Sequence, residues 1–242
     1  MAENEREQNL LRIFSWNING MKGQKRDSKL DKINRLNADI VLLQETHVKN
    51  CKQIERDFPE WETLFTESHT GRRGVAILVR KTLNASIFSR IKDTESGYAV
   101  MSFKLRERTY TFVSVYHHSD DSALTDRLSK DLSKVDKSNL VIGGDFNTAL
   151  SDWDRTSTIR NWKHRRINRF LTRFMRDFDL VDIWRRKHPD ERQYTYKYPK
   201  EQRSRLDYFF IHETKSTSVI SCEINNLEIS DHSSLSLTLQ IH

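Results

Sequence analysis

The chain has 242 residues, of which 41 are Lys or Arg and 34 are Asp or Glu, giving a formal net charge of +7. At 36% hydrophobic and 10% aromatic it carries enough apolar surface to build a core, which excludes a disordered chain. Cys51 and Cys222 are its only cysteines, and its longest aliphatic run, Val75–Val79, is far short of the ~20 residues of a membrane span, so a disulfide scaffold and a membrane helix are excluded too.

Residues 1–10 are polar at their start, lack an apolar signal segment, and read as a disordered extension ahead of one domain over residues 11–242. The first predicted strand, Leu11–Trp16, runs into Asn17-Ile-Asn19-Gly20. A helix over Leu30–Leu36 precedes the strand Ile40–Gln44, which ends on Glu45. Val75–Val79, Ala99–Leu105 and Tyr110–Tyr116 follow as strands, the last rich in β-branched and aromatic residues and closing on Tyr116-His117-His118. Leu124, Leu128, Leu132 and Val135 share one face of a helix over Leu124–Val135. The strand Leu140–Gly143 opens into Gly144-Asp145-Phe-Asn147. A helix over Arg165–Phe178 gathers Ile167, Phe170, Leu171, Phe174 and Phe178 into a core stripe. Asp207 lies in the apolar frame of a strand over Leu206–His212, and Ser230-Asp231-His232-Ser233 precedes the alternating strand Leu235–Ile241. Only 7 Gly and 3 Pro leave little from which to make an interdomain hinge. Many strands mixed with a few amphipathic helices predict two packed sheets flanked by helices.

The charge is not spread evenly. Arg155–Arg205 holds 16 basic and 6 acidic residues, a local +10, so the remainder of the chain is slightly acidic. Such a footprint suits a polyanionic partner.

The unusual polar groups cluster at strand boundaries, where a sheet holds side chains rigidly. Each alone reads as a turn or a solvated strand end, but together they suit phosphodiester hydrolysis. Glu45 is the natural ligand of a divalent cation, with the amide oxygen of Asn17 beside it. Asp145 is a candidate to orient and deprotonate the attacking water. Asn147, Tyr116 and a protonated His232 can meet the charge that accumulates on phosphate, and Asp207 can hold His232 charged and oriented.

At these residues the sequence resembles the exonuclease III/AP-endonuclease-type, or endonuclease/exonuclease/phosphatase, superfamily. The motifs run in order as Trp16-Asn17-Ile-Asn-Gly, Leu43-Gln-Glu45-Thr, Tyr116, Gly144-Asp145-Phe-Asn147, Arg205-Leu-Asp207-Tyr and Ser230-Asp231-His232. The resemblance implies a DNase-I-like four-layer α/β sandwich of two mixed sheets flanked by helices. It further implies that Glu45 binds metal, Asp145 positions water, Asn147 and Tyr116 bind phosphate, and His232 pairs with Asp207, with Asp231 packed alongside.

AP endonucleases carry Asp where this chain has Asn19, Lys where it has His47, and an aromatic where it has Ser204. All three differences match the endonuclease domain of LINE-type non-LTR retrotransposons. So do Gly74-Val-Ala-Ile-Leu-Val79, Asp154-Arg-Thr156, Leu180-Val-Asp-Ile-Trp184 and Tyr194-Thr-Tyr196. One departure stands out. The family follows its phosphate-binding Tyr with Ala-Pro-Asn or similar, and here His117-His118-Ser119 follows Tyr116, so the Asn that would brace the site is missing.

That resemblance implies a Mg²⁺-dependent nickase of double-stranded DNA, with Mn²⁺ as an alternative metal, whose product 3′-hydroxyl primes reverse transcription. It implies a reverse transcriptase domain in the same full-length polyprotein, no membrane partner, a monomeric isolated domain and a nuclear location. DNA contacts are expected from Asn19, Arg155, Thr195, Lys197, Lys200, Arg203 and Arg205, several of them on a loop over Lys197–Ser204 that would enter the minor groove. The sequence leaves open whether Asp145 or His232 is the base. The alternatives are an AP-endonuclease-type repair nuclease, a phosphoinositide phosphatase and a catalytically inert DNA-binding module. The intact set of Glu45, Asp145, Asn147, Asp207 and His232 argues against the last.

Overall fold

A strand that is apolar at every position, such as Val75–Val79, is satisfied on both faces only between two layers. The computed structural model, which describes residues 9–68, 71–157, 162–197, 202–227 and 229–241, provides those layers as a four-layer α/β/β/α sandwich. The elements in chain order are β1 (Leu10–Asn17), α1 (Arg26–Asn34), β2 (Ile40–Gln44), α2 (Cys51–Glu55), β3 (Trp61–Phe65), β4 (Val75–Arg80), β5 (Ser86–Lys92), β6 (Tyr98–Leu105) and β7 (Arg108–Tyr116). They continue with α3 (Leu124–Leu132), β8 (Leu140–Asp145), α4 (Trp162–Asp177), β9 (Leu180–Asp182), α5 (Ile183–Lys187), β10 (Tyr196–Lys197), β11 (Arg203–Ser204), β12 (Asp207–His212), β13 (Val219–Asn225) and β14 (Ser234–Gln240).

One six-stranded sheet runs β13-β14-β1-β2-β4-β3 and the other β5-β6-β7-β8-β12-β9, while β10 and β11 form a separate two-stranded ribbon. Each large sheet has one parallel pair near its middle, β1 with β2 and β7 with β8, and antiparallel neighbours elsewhere. The C-terminal ends of those four strands therefore meet the N-terminal ends of β12 and β14 along one rim. Register fixes this closely: Tyr116 lies opposite Asp145, Asp145 opposite Asp207, and Ser15 opposite Leu235.

The core between the sheets interleaves Ile13, Ile40, Leu42 and Ile77 of the first with Met101, Phe112, Val141 and Phe209 of the second. Phe14, Trp16, Val41 and Leu78 cover the other face of the first sheet under Leu30 and Ile33 of α1 and Ile54 of α2. Val113, Ile142 and Phe210 do the same for the second sheet under Leu128 and Leu132 of α3 and Leu171 and Phe174 of α4.

All eight predicted strands are present, with ends moved by one or two residues. Helix α1 begins four residues before its predicted start, because a turn closed by Arg26 N–H to Gly23 O nucleates it ahead of its apolar positions. Helix α4 likewise begins earlier, at Trp162. Strand β1 is paired from Leu10, opposite Gln240, and the rest of the expected N-terminal extension, residues 1–8, lies outside the described residues. No helix among the described residues is long and apolar enough to cross a membrane.

Candidate active site

The rim is shaped by two matching turns at the ends of parallel strands. After β1, Asn17 Oδ1 accepts the Asn19 N–H at 3.0 Å, and after β8, Asp145 Oδ1 accepts the Asn147 N–H at 2.8 Å. Asn19 and Asn147 both take left-handed backbone, with φ of +46° and +50°, a conformation Asn tolerates better than most residues. Glu45 and His47 are left-handed as well, at +50° and +54°. Non-glycine residues in this region of backbone space carry local strain, and these four share the rim where the chain leaves the sheets. Gly144 serves close approach: a Cβ there would stand 1.9 Å from the Val115 carbonyl oxygen.

Glu45 and Asp145 are tied to each other by one amide. Asn17 Nδ2 donates to Glu45 Oε1 at 2.8 Å and to Asp145 Oδ2 at 2.9 Å. The Asn17 oxygen, expected from the sequence to face a cation, accepts the Asn19 N–H. His47 Nε2 lies 3.2 Å from Glu45 Oε2. Burial works against the charge on Glu45, but hydrogen bonds from His47, Asn17 and Tyr116 outweigh it and hold the carboxyl below its usual range. Glu45, Asp145 and His232 each offer a ligand atom, and these atoms all lie within 4.8 Å of one another. Glu45 and Asp145 bring two carboxylates into one corner, oxygen donors that suit a divalent cation, with Glu45 the more accessible of the two.

The histidine stands between two acids. His232 Nδ1 donates to Asp207 Oδ2 at 2.9 Å, and its Nε2 faces Asp145 Oδ2 at 3.8 Å. Burial opposes protonation of His232, yet Asp207 and Asp145 more than offset it, so the imidazolium is favoured. Asp145 is raised above the ordinary carboxylate range, first by burial and then by Asp207 and Glu45, against the pull of His232. Such a pair, one acid made basic and one imidazole kept charged, is the arrangement acid–base chemistry needs. Tyr196 packs on the His232 ring with centroids 4.6 Å apart. Asp231 turns outward and accepts from Asn19 Nδ2 at 3.1 Å. Tyr116 shares hydrogen bonds with Glu45 and Asn147, and burial first, then the two nearby carboxylates, raises its phenol pKa, keeping it a donor.

The basic side lies against the ribbon. Lys197 of β10 pairs with Arg203 of β11, and a groove of about 580 Å³ beside it is lined by Arg192, Tyr194, Tyr196, Lys197, Arg203 and Asp231. Arg155 bridges to Ser204 at the foot of the ribbon and is ion-paired to Asp152. Two expectations need correction. Arg205 is 0% exposed: it donates to Asp154 and Asp182 at 2.9 and 2.6 Å and lies between the rings of Trp184 and Tyr208, a buried tie with no face for DNA. Thr195 is 1% exposed, and its hydroxyl accepts the N–H groups of Leu206 and Asp207, so it fixes the Asp207 backbone. Lys200, also expected at the DNA, lies outside the described residues.

Sequence reasoning missed several members. His47 stood in view within the Gln44-Glu-Thr-His47 motif, but nothing in its spacing says that its ring turns back on Glu45. Gln44 and Ser114 cross the core beneath the site, Gln44 Nε2 donating to Ser114 Oγ at 3.1 Å and Ser114 Oγ to the Leu43 carbonyl at 2.9 Å. A Gln inside an apolar strand was the available signal.

The chain is 25% identical over 96% of its length to the Transposon TX1 uncharacterized 149 kDa protein of Xenopus laevis, of which it spans 18%. Its fold superposes on the AP endonuclease LMAP from Leishmania major with a TM-score of 0.82 at 17% identity, covering all of this chain and 91% of that one. It superposes on the endonuclease domain of TRAS1, a telomere-specific non-LTR retrotransposon, with a TM-score of 0.69 at 18% identity, covering 96% and 99%. The sequence of residues 14–232 matches the Endonuclease/Exonuclease/phosphatase family, whose chemistry the rim just described can perform, and the chain belongs to that family.

Proposed function

We propose that this chain is a divalent-metal-dependent nuclease domain that nicks one strand of double-stranded DNA and leaves a 3′-hydroxyl from which a LINE-type element primes reverse transcription. The observation that carries the reading is the convergence of Glu45, Asp145 and the His232–Asp207 pair at one rim, beside a groove bearing Arg192, Lys197 and Arg203. The transposon relative, far longer than this chain, supports a place within a larger polyprotein, and the reading extends, on the sequence resemblance alone, to a reverse transcriptase domain in that polyprotein and to chromosomal DNA in the nucleus.

Glu45, with the Asn17 amide beside it, would hold Mg²⁺ or Mn²⁺, which when bound neutralises phosphate charge and acidifies water. The chain's own residues do the rest. Asp145, basic for a carboxylate, takes the proton of the attacking water while Asn147 and Tyr116 donate to the phosphate oxygens. His232, charged by Asp207, donates to the negative charge developing on the phosphate, and as the P–O3′ bond breaks the departing 3′-oxygen takes up a proton from solvent and leaves as the 3′-hydroxyl.

A supercoiled plasmid incubated with the protein, with and without Mg²⁺, tests this directly. Relaxed circles should form only with the metal, and Asp145→Ala should abolish them. No relaxation by the wild-type protein under either metal would refute the nuclease reading. A preference of orders of magnitude for a duplex with an abasic site would make it a repair enzyme instead.

A further inference from the structure

Tyr116 is followed by His117-His118-Ser119 where the family's bracing Asn would lie, yet the turn is held firmly by other groups. Arg127, at the start of α3, makes paired bonds to two acids at once. Its Nε and Nη2 donate to Asp93 Oδ1 and Oδ2 at 2.8 and 3.0 Å, and its Nη1 and Nη2 to Asp121 Oδ1 and Oδ2 at 3.0 and 2.7 Å.

Each acid closes a turn on one side of Tyr116. Asp93 Oδ2 also accepts the Gly97 N–H at 2.9 Å, and the Gly97 carbonyl accepts the Tyr116 N–H at 2.7 Å. On the other side the Asp121 carbonyl lies 2.9 Å from His117 Nε2, and the Asp121 N–H donates to the His118 carbonyl at 2.9 Å. His117 in turn donates its N–H to the Asp145 carbonyl at 2.8 Å. Burial disfavours the charge on Asp121, but its bonds to Arg127 prevail and keep it ionised.

We propose that Arg127 is a positioning residue for Tyr116: its guanidinium clamps Asp93 and Asp121 together and so sets where the phosphate-binding hydroxyl stands, replacing the brace the loop lacks. The proposal rests on the phosphodiesterase reading above. A planar fork is required because two carboxylates are each gripped by two N–H groups, which a lysine ammonium cannot reproduce.

The test combines Arg127→Lys and Arg127→Ala with Tyr116→Phe in single and double variants, measured by plasmid nicking and by ¹³C-tyrosine NMR. Loss of the clamp should lower kcat by about 10- to 100-fold with KM changed less than about twofold, since a displacement of an ångström suffices for that loss. In the Tyr116→Phe background the same substitutions should cost almost nothing more, because the hydroxyl they position is gone. An equal loss in both backgrounds, or no loss in either, overturns the proposal. The Tyr116 ring resonance, identified by its disappearance in Tyr116→Phe, should shift and broaden in Arg127→Lys while tyrosines remote from Asp93, such as Tyr110 and Tyr208, keep their positions. An unmoved Tyr116 signal refutes the clamp even if Arg127→Ala does not fold. If the wild-type protein fails to nick, the nuclease reading falls, and the NMR comparison still decides whether Arg127 holds Tyr116.

Discussion

His232 shows how one residue takes its role from two neighbours. Asp207 fixes the ring through Nδ1 and stabilises the imidazolium, while Nε2 is left facing Asp145 and the site. Asp207→Asn preserves shape but removes the charge that favours the imidazolium, so nicking, assayed well below the variant's melting temperature, should fall about 10²- to 10⁴-fold, the usual worth of such a group. A variant that nicks at the wild-type rate would remove Asp207 from the chemistry. At this scale the sequence was informative where a residue type is rare at a strand end: Glu45, Asp145, Asp207 and His232 could each be singled out, and the structure brings them together. It was uninformative where only orientation matters. Arg205 and Thr195 sit in a basic, polar stretch and read as DNA contacts, yet their side chains turn inward to hold Asp154, Asp182 and the Asp207 backbone. Nor could spacing reveal that Asp93 and Asp121 meet through Arg127.

Elements divided along a physical line. Every strand with two neighbours was legible, and the four at the sheet edges, β13, β3, β5 and β9, were not. Most inner strands are covered on both faces and read as apolar runs, while β14, half-buried on one face, reads by its alternation. An edge strand such as β5, whose residues alternate between exposed and half-buried, buries too little to leave that mark. The ribbon was anticipated as a loop over Lys197–Ser204, and the pairing of Tyr196 with Ser204 and Lys197 with Arg203 shows its base is itself a short hairpin. Its attachment depends on the buried Arg205. Arg205→Ala would leave Asp154 and Asp182 buried without their partner and should cost about 3–5 kcal/mol in denaturant unfolding, the range for breaking a buried pair. A loss below about 1 kcal/mol, typical of a surface ion pair, would show the tie to be dispensable. Gly144→Ala meets backbone rather than a movable side chain, so it should be at least as damaging as ordinary overpacking, about 1–3 kcal/mol, and should impair nicking as well because Asp145 follows directly.

For the whole molecule, the net +7 is a poor guide, since the excess resides in one segment and part of that segment is spent internally, as in Arg205 and Arg185 with Asp154. The cations left for a phosphate backbone include Lys197 and Arg203 beside the groove. Replacing either with Ala should weaken DNA binding across all sequences and reduce the salt slope by about one, measured by titration at several ionic strengths. An unchanged slope would take the ribbon off the DNA. His188, after α5, ties the end of that helix to the first sheet: its Nδ1 lies 2.7 Å from Glu191 Oε1 and its Nε2 2.9 Å from the Cys222 carbonyl of β13. Burial opposes its charge, but Glu191, that carbonyl and Glu223 raise its pKa, so its contribution is complete below the unfolded value of about 6.5 and is lost as pH rises through the raised folded value. The stability difference between wild type and His188→Gln should therefore shrink from mildly acidic to alkaline pH in urea titrations, and a difference that grows would reverse the assignment. The rim itself has a further consequence. Asn17, Glu45 and His232 ride on one sheet, and Tyr116, Asp145 and Asp207 on the other, so neither half alone holds a complete reactive set. Sliding the two layers by an ångström separates acid from imidazole before any strand unravels. Catalysis is thus a gauge of docking between the halves: in rising denaturant it should vanish ahead of the far-ultraviolet circular dichroism signal, and a sandwich that has formed its sheets without seating them is already inert.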